Sequence, residues 1–292
     1  MYYKTRGYRA FNVMNYVFLA LAAVSCILPM IHILALSFSG SAAVNANIVT
    51  FWPIDFTMDA YYKTANNPAF LQSIGIAAQR VVYGVTISMV VTILAAYPLS
   101  KGSEVFRGRS VFAWFFIFTM LFGGGLIPFY WLITKLNMMN TMWALILPGA
   151  VSVYNMILLM NFFRNVPKEL EEAALIDGAG DLRVLWSIFL PVSKPAIATL
   201  TLFSIVGQWN SWFDGLLFMT RPENYPLATY LQTIVVQQDL SAIINNVGDL
   251  DKLTQRSVKA AQIFIGAFPV LVVYPFLQKH FTKGIVLGAV KE

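Results

Sequence analysis

A chain of 292 residues that is 58% hydrophobic and only 12% charged, with a mean hydropathy of +0.65, lies far from soluble domains, in which about a quarter of residues are charged. Its formal charge of +6 comes from basic residues spread between apolar segments, which argues against nucleic acid as a partner and for a chain that lies in lipid. With two His and one Cys scattered apart, no intrachain disulfide is possible and no metal or catalytic cluster is formed.

Six windows read as membrane-spanning helices, since a span needs about 20 mostly apolar residues: 15–38, 71–99, 111–132, 142–163, 196–219 and 261–277. They are continuously apolar, not alternating, and lipid offers no partner to an open sheet edge. The expected fold is an all-α integral membrane protein, one domain of six transmembrane helices.

The first window is too long for a removable signal peptide, and no small-residue cleavage pattern follows Leu36. Within it Cys26 reads as a packing residue, and His32, beyond Pro29, as a hydrogen-bonded structural residue. The next segment, 39–70, contains "TFWPIDFTMDAYYKTANNP", either a partner surface or substrate entrance, or a cap over the bundle. In the second window Arg80 admits two readings. It is an oligosaccharide contact, its guanidinium suited to a sugar carboxylate, or it snorkels to the outer interface. Gly123, Gly124 and Gly125 with Pro128 should bend or loosen the third window.

The fifth window carries Gln208, Trp209, Asn210, Ser211, Trp212 and Asp214. This patch is a candidate sugar-cavity lining, or a set of helix-to-helix hydrogen bonds. Segment 220–260 reads as a second long outer loop. Thirteen Lys and Arg residues fall on the side that holds both termini and six on the other. The positive-inside rule places N- and C-termini in the cytoplasm.

On that cytoplasmic side, between the fourth and fifth windows, lies "EEAALIDGAGDLRVLWSIFLP" from Glu171 to Pro191. From Pro167 onward "PKELEEAALI" should form a short helix, its glutamates favoured at the positive end of the dipole. Asp177-Gly178 should stop it, Gly178 taking the left-handed conformation. A second helix should start near Asp181 as N-cap, with Leu182, Leu185, Trp186 and Phe189 at helical spacing. Pro191 and Pro195 mark the return to the membrane. Such a helix–turn–helix is either a docking element, its small residues letting a partner come close, or an amphipathic connector resting on the membrane.

The spacing Glu172-Ala173-Ala174, Gly178, Ile188, Leu190-Pro191 resembles the EAA loop of binding-protein-dependent ABC importer permeases. The fuller string, with Trp209-Asn210, resembles the carbohydrate-uptake, maltose-permease-like branch. The ending "QKHFTKGIVLGAVKE" resembles the LplC/YtcP-like oligosaccharide permeases, a branch that includes alginate- and pectin-fragment importers.

The resemblance implies a bacterial cytoplasmic (inner) membrane permease subunit, paired with a second homologous permease as a heterodimer. Two ATPase subunits, which use ATP and Mg, would drive it, and an extracytoplasmic sugar-binding protein would deliver an oligosaccharide, neutral or uronic-acid-containing. The permease core would span about 71–280 and the coupling loop 164–195. Glu172, Ala173, Ala174, Asp177, Gly178, Ile188, Leu190 and Pro191 would transmit ATPase closure, and the tail 279–292 would contact the ATPase dimer. No cofactor or catalytic residue is expected on this chain. It contains no G-x-x-x-x-G-K-[ST] loop, so hydrolysis belongs to partners.

Three rivals remain at this level: an ion-coupled secondary transporter, an ABC permease for a non-sugar solute, and a membrane-bound receptor or enzyme. The first usually needs deep carboxylates and inverted repeats. Only Asp214 lies within a window.

Overall fold

The computed structural model describes residues 5–244 and 250–289, with side chains over 5–235, 255–273 and 275, and contains no strand among the described residues. The all-α architecture follows from the unbroken apolar windows, whose backbone groups can only be satisfied within each segment.

The chain forms two compact units, Met1–Leu71 with Thr233–Phe268, and Gln72–Gln232 with Pro269–Glu292. In the first, α1 (Arg6–Ser37) is capped by Thr5 and buries only Ala35 and Ser37. After it, α2 (Ser41–Asn45) and α3 (Asp59–Ala65) fold back on its end. Ser39 donates to the Ala35 carbonyl and accepts from Ile54 N, while Phe38 stacks on Tyr61 at 4.7 Å. His32 Nδ1 lies 2.6 Å from the Thr50 carbonyl, a structural bond. Segment 39–70 thus packs against the end of α1, yet leaves Trp52 81% exposed.

α4 (Pro68–Ser100) follows, and the second unit takes over within it. The third window is not one rod: α5 (Arg109–Leu121) and α6 (Leu126–Lys135) meet at 110°. Gly125 makes the bend, with φ +86, a region that costs L-residues and not glycine. The fourth window is α7 (Met142–Ile146) and a short 3-10 turn, bent by 45° from α8 (Val153–Arg164).

The polar insert is α9 (Lys168–Ile176), α10 (Asp181–Val184), a π turn over Leu185–Phe189 and α11 (Leu190–Val192). α12 (Lys194–Asn210) leaves it at 83°. The fifth window does not continue to 219 as one helix. It breaks at Ser211, and α13 (Phe213–Phe218) resumes.

Segment 220–260, expected as a loop, contains α14 (Leu227–Ile244) and the start of α15 (Leu250–Ala289). The expectation for the tail concerns Lys283 to Lys291, whose side chains, with all of 290–292, lie outside the described residues. Among the described residues three helices are long and apolar enough to cross a membrane, or up to six if each bent pair counts as one crossing.

The second unit's core joins α4, α8 and the insert. Ala96, Tyr97 and Leu99 of α4 meet Met156, Leu159 and Phe163 of α8, with Val184, Leu185 and Phe189 packed among them. Tyr97, Phe163 and Phe189 contact one another edge to face at 5.1–6.4 Å, an arrangement that gains beyond simple burial.

Candidate functional site

Along α4, Arg80, Gly84, Ser88 and Thr92 recur every fourth residue, so they lie on one face of the helix. All four are buried. Arg80 is 2% exposed, which excludes snorkelling. Every nitrogen of its guanidinium is engaged. Nε donates to Gln208 Oε1 at 2.9 Å, and Nη1 to the Ser211 carbonyl and to Asp214 Oδ1, each at 3.1 Å. Nη2 forms the ion pair with Asp214 Oδ2 and donates to the Leu145 carbonyl at 3.5 Å.

The break in the fifth window creates this arrangement. Ser211 is extended, with ψ 113, so its carbonyl leaves the helical ladder and needs a donor, which Arg80 supplies. Asp214 lies in the first turn of α13 and also accepts from Ser211 Oγ at 2.8 Å and from Gly215 N at 2.9 Å. A fork-to-fork pair of this kind is both strong and directional.

Gly84 faces the end of the Gln208 side chain. A Cβ at Gly84 would lie 2.9 Å from Gln208 Cδ, so a larger residue there would displace the amide that accepts from Arg80 Nε.

Beside the pair lies a cavity of about 440 Å³ that Arg80, Ser88, Ser152, Asn155, Gln208 and Asp214 line together with Phe129, Phe203 and Phe218. That volume suits a small ligand, and amides, hydroxyls and aromatic faces are groups that hold sugar hydroxyls. Of the expected lining residues, Arg80, Gln208 and Asp214 are brought together here. Trp209 is half-buried, Asn210 and Trp212 are exposed, and none of the three lines the cavity. Gly84, Ser88, Ser152 and Asn155 escaped the sequence reading, although the four-residue stripe in a greasy helix was a visible signal.

The insert presents its residues differently. α9 starts after Pro167 and ends in a cap where Gly178 N donates to the Leu175 carbonyl at 3.0 Å and Ala179 N to the Ala174 carbonyl at 2.9 Å. Gly178 takes φ +78, the left-handed conformation this cap requires. The second helix begins one residue from the expected place: Gly180 is the N-cap and Asp181 the first helical residue.

Glu172, Ala173, Asp177, Gly178 and Pro191 are exposed, and Ala174, Ile188 and Leu190 are partly buried against the core. The apolar set divides, with Leu185 and Phe189 buried and Leu182 and Trp186 exposed at 66% and 68%. Half of the insert is therefore locked in the core while α9 stands clear.

One charged contact ties α9 back. Glu171 pairs with Lys101, immediately after α4, and Lys101 Nζ lies 4.2 Å from the Tyr97 ring centroid and 4.3 Å from that of Phe189.

Residues 86–287 match the family described as the binding-protein-dependent transport system inner membrane component. Protein LplC of Bacillus subtilis (strain 168) is 40% identical over 99% of this chain and 97% of its own length. The polygalacturonan/rhamnogalacturonan transport system permease protein YtcP of the same organism is 37% identical over 97% of this chain and 99% of its own. Among solved structures, a bacterial ABC transporter involved in the import of the acidic polysaccharide alginate is 32% identical, covers 96% of this chain and 100% of its counterpart, and superposes with a TM-score of 0.85. The chain belongs to the family of membrane-embedded permease components of binding-protein-dependent ABC importers.

Proposed function

We propose that this chain is one of two permease subunits of an importer that moves an oligosaccharide, neutral or uronic-acid-containing, into the cytoplasm by alternating access. Six membrane crossings with both termini cytoplasmic agree with the distribution of Lys and Arg, and the subunit sits in the bacterial cytoplasmic membrane. A second homologous permease completes the pathway, two ATPase subunits bind ATP and Mg, and an extracytoplasmic binding protein delivers the sugar. The names of YtcP, a polygalacturonan/rhamnogalacturonan transport system permease, and of the importer of the acidic polysaccharide alginate support an oligosaccharide as cargo. The polar cavity beside Arg80 and Asp214 supplies groups for its hydroxyls.

The observation that carries this reading is the insert itself. α9 and its Gly178 cap stand exposed while the following turn is buried in the core, which is what a joint between a soluble motor and membrane helices needs. Glu172, Ala173, Ala174, Asp177 and Gly178 form the docking helix and its turn. Ile188, Leu190 and Pro191 lead its motion toward α12.

Co-expression with a neighbouring permease and ATPase tests this directly. The wild-type chain should retain the ATPase through purification, and a version with residues 169–178 replaced by a flexible linker should lose it. Retention by both, or by neither while the chain stays folded, overturns the reading.

A further inference from the structure

The last turn of α4 is unusually well held. Its Leu99 carbonyl, one of the groups a helix end leaves without a partner, accepts from Arg109 Nε at 3.0 Å and from Arg164 Nη2 at 3.4 Å. These two cations belong to the start of α5 and the end of α8, so the terminus of α4 is fastened to both neighbours, and positive charge there also suits the helix dipole. Lys101 adds the third attachment, the only one that reaches α9.

Its surroundings are not those of an ordinary surface ion pair. The Lys101 side chain is 9% exposed and that of Glu171 22%. The ammonium rests over two rings that are themselves buried, Tyr97 at 7% and Phe189 at 3%. Cation–π contacts strengthen as water is removed, and the compact ammonium is enclosed by a carboxylate from α9, a ring from α4 and a ring from the π turn. α9 itself has no buried residue, so beyond the apposition of Ala174 to the core this contact is its main side-chain attachment to the membrane helices. On the far side of Lys101, α4 leads back over about 30 Å of helix to Arg80 and the cavity.

We propose that Lys101 is a positioning residue of the transport cycle, holding α9 through Glu171 so that displacement of α9 pulls on the end of α4 and shifts Arg80 and Ser88 in the cavity wall. The proposal rests on the reading of α9 as the ATPase-docking helix. It gives α4 a direct mechanical link to the motor, separate from the continuous chain that leads from α9 through the π turn into α12.

The test reads the cavity and not the cargo. In a Cys26→Ala background with cysteine-free partners, Ser88→Cys places a thiol on the cavity face of α4. Its modification by 2-aminoethyl methanethiosulfonate is timed in the assembled transporter, without nucleotide and after trapping with ATP and vanadate.

With the tether intact the two rates should differ by about fivefold or more, the lower end of ordinary site-to-site coupling. Glu171→Gln keeps the side chain's size on an exposed helix and so keeps the fold. It should bring the two rates within about twofold, while vanadate still traps the bound ATPase. Lys101→Met should do the same, Lys101→Arg should preserve the difference, and Lys101→Glu with Glu171→Lys should restore it relative to Lys101→Glu alone. A merely structural pair would alter yield or thermal midpoint and leave the nucleotide-dependent difference intact. An undiminished difference in Glu171→Gln overturns the tether alone. Absence of any nucleotide-dependent change in the parent, with the ATPase bound, overturns the importer cycle and the tether with it.

Discussion

Replacing Asp214 by Asn removes the counter-charge of Arg80 and keeps the shape of the side chain. Because Arg80 is 2% exposed, the cation cannot regain hydration, and breaking a buried pair in this way costs about 3–5 kcal/mol. Two features lower that figure. The Asp214 side chain is 25% exposed, and Gln208 Oε1 with the Ser211 and Leu145 carbonyls stays in place as acceptors. At an effective dielectric near 20, unit charges about 4 Å apart attract by about 4 kcal/mol, so the discounted cost is about 2–3 kcal/mol.

Arg80→Met should cost less, about 1–2 kcal/mol, since Asp214 keeps Ser211 Oγ and Gly215 N and reaches water. The double variant Arg80→Met with Asp214→Leu should lie near the wild type, because an apolar pair of similar volume avoids desolvating either charge. Unfolding of the purified transporter in mixed micelles at rising SDS fraction places all three on one scale. Additive losses, or an Asp214→Asn variant as stable as the wild type, refute the account of a coupled pair.

Gly178→Val and Glu172→Ala should both depress sugar uptake without lowering the amount of chain in the membrane fraction. Gly178 holds φ +78 with nothing within 4 Å of a Cβ, so its cost of about 1–2 kcal/mol is one of backbone conformation alone; normal uptake by both variants removes the coupling role. Gly84→Ala should push Gln208 away from Arg80 Nε and cost about 1 kcal/mol, but become neutral when Gln208 is already Ala. An equal loss in both backgrounds, by the same SDS titration, shows that the glycine serves some contact other than Gln208.

The cap at Gly178 was legible because its chemistry is local: an Asp-Gly step after a run of good helix formers has one common outcome. The breaks at Phe122–Gly125 and Ser211 were only half legible. Three glycines announced the first, although hydropathy cannot give an angle of 110°. The second lies in a stretch that hydropathy treats as continuous, and the group that satisfies its freed Ser211 carbonyl is Arg80, reaching across from α4, a contact between residues far apart in sequence. For the same reason Arg80 read alone suggested the interface, whereas Arg80 read with Gly84, Ser88 and Thr92 marks a buried face. Segment 220–260 misled because its polar residues conceal α14 and the start of α15.

The bonding of Arg80 also bears on what the cavity can select. A free guanidinium would hold a uronate carboxylate through two parallel bonds, but here both terminal nitrogens and Nε are already committed, mainly to Asp214 and Gln208. The fixed charges of the pair cancel, so an acidic sugar and a neutral one meet the same absence of net charge at this point. Under the proposed function, what would distinguish a cargo there is the set of hydroxyl partners offered by Asn155, Ser152 and Ser88 and the faces of Phe129, Phe203 and Phe218. Such contacts are weak and easily exchanged, which would suit the proposed passage, where what is admitted must also be released. Under the proposed function, separating Arg80 from Asp214 would free the guanidinium for a carboxylate, and a displacement of α4 against α13 is the motion that would do so.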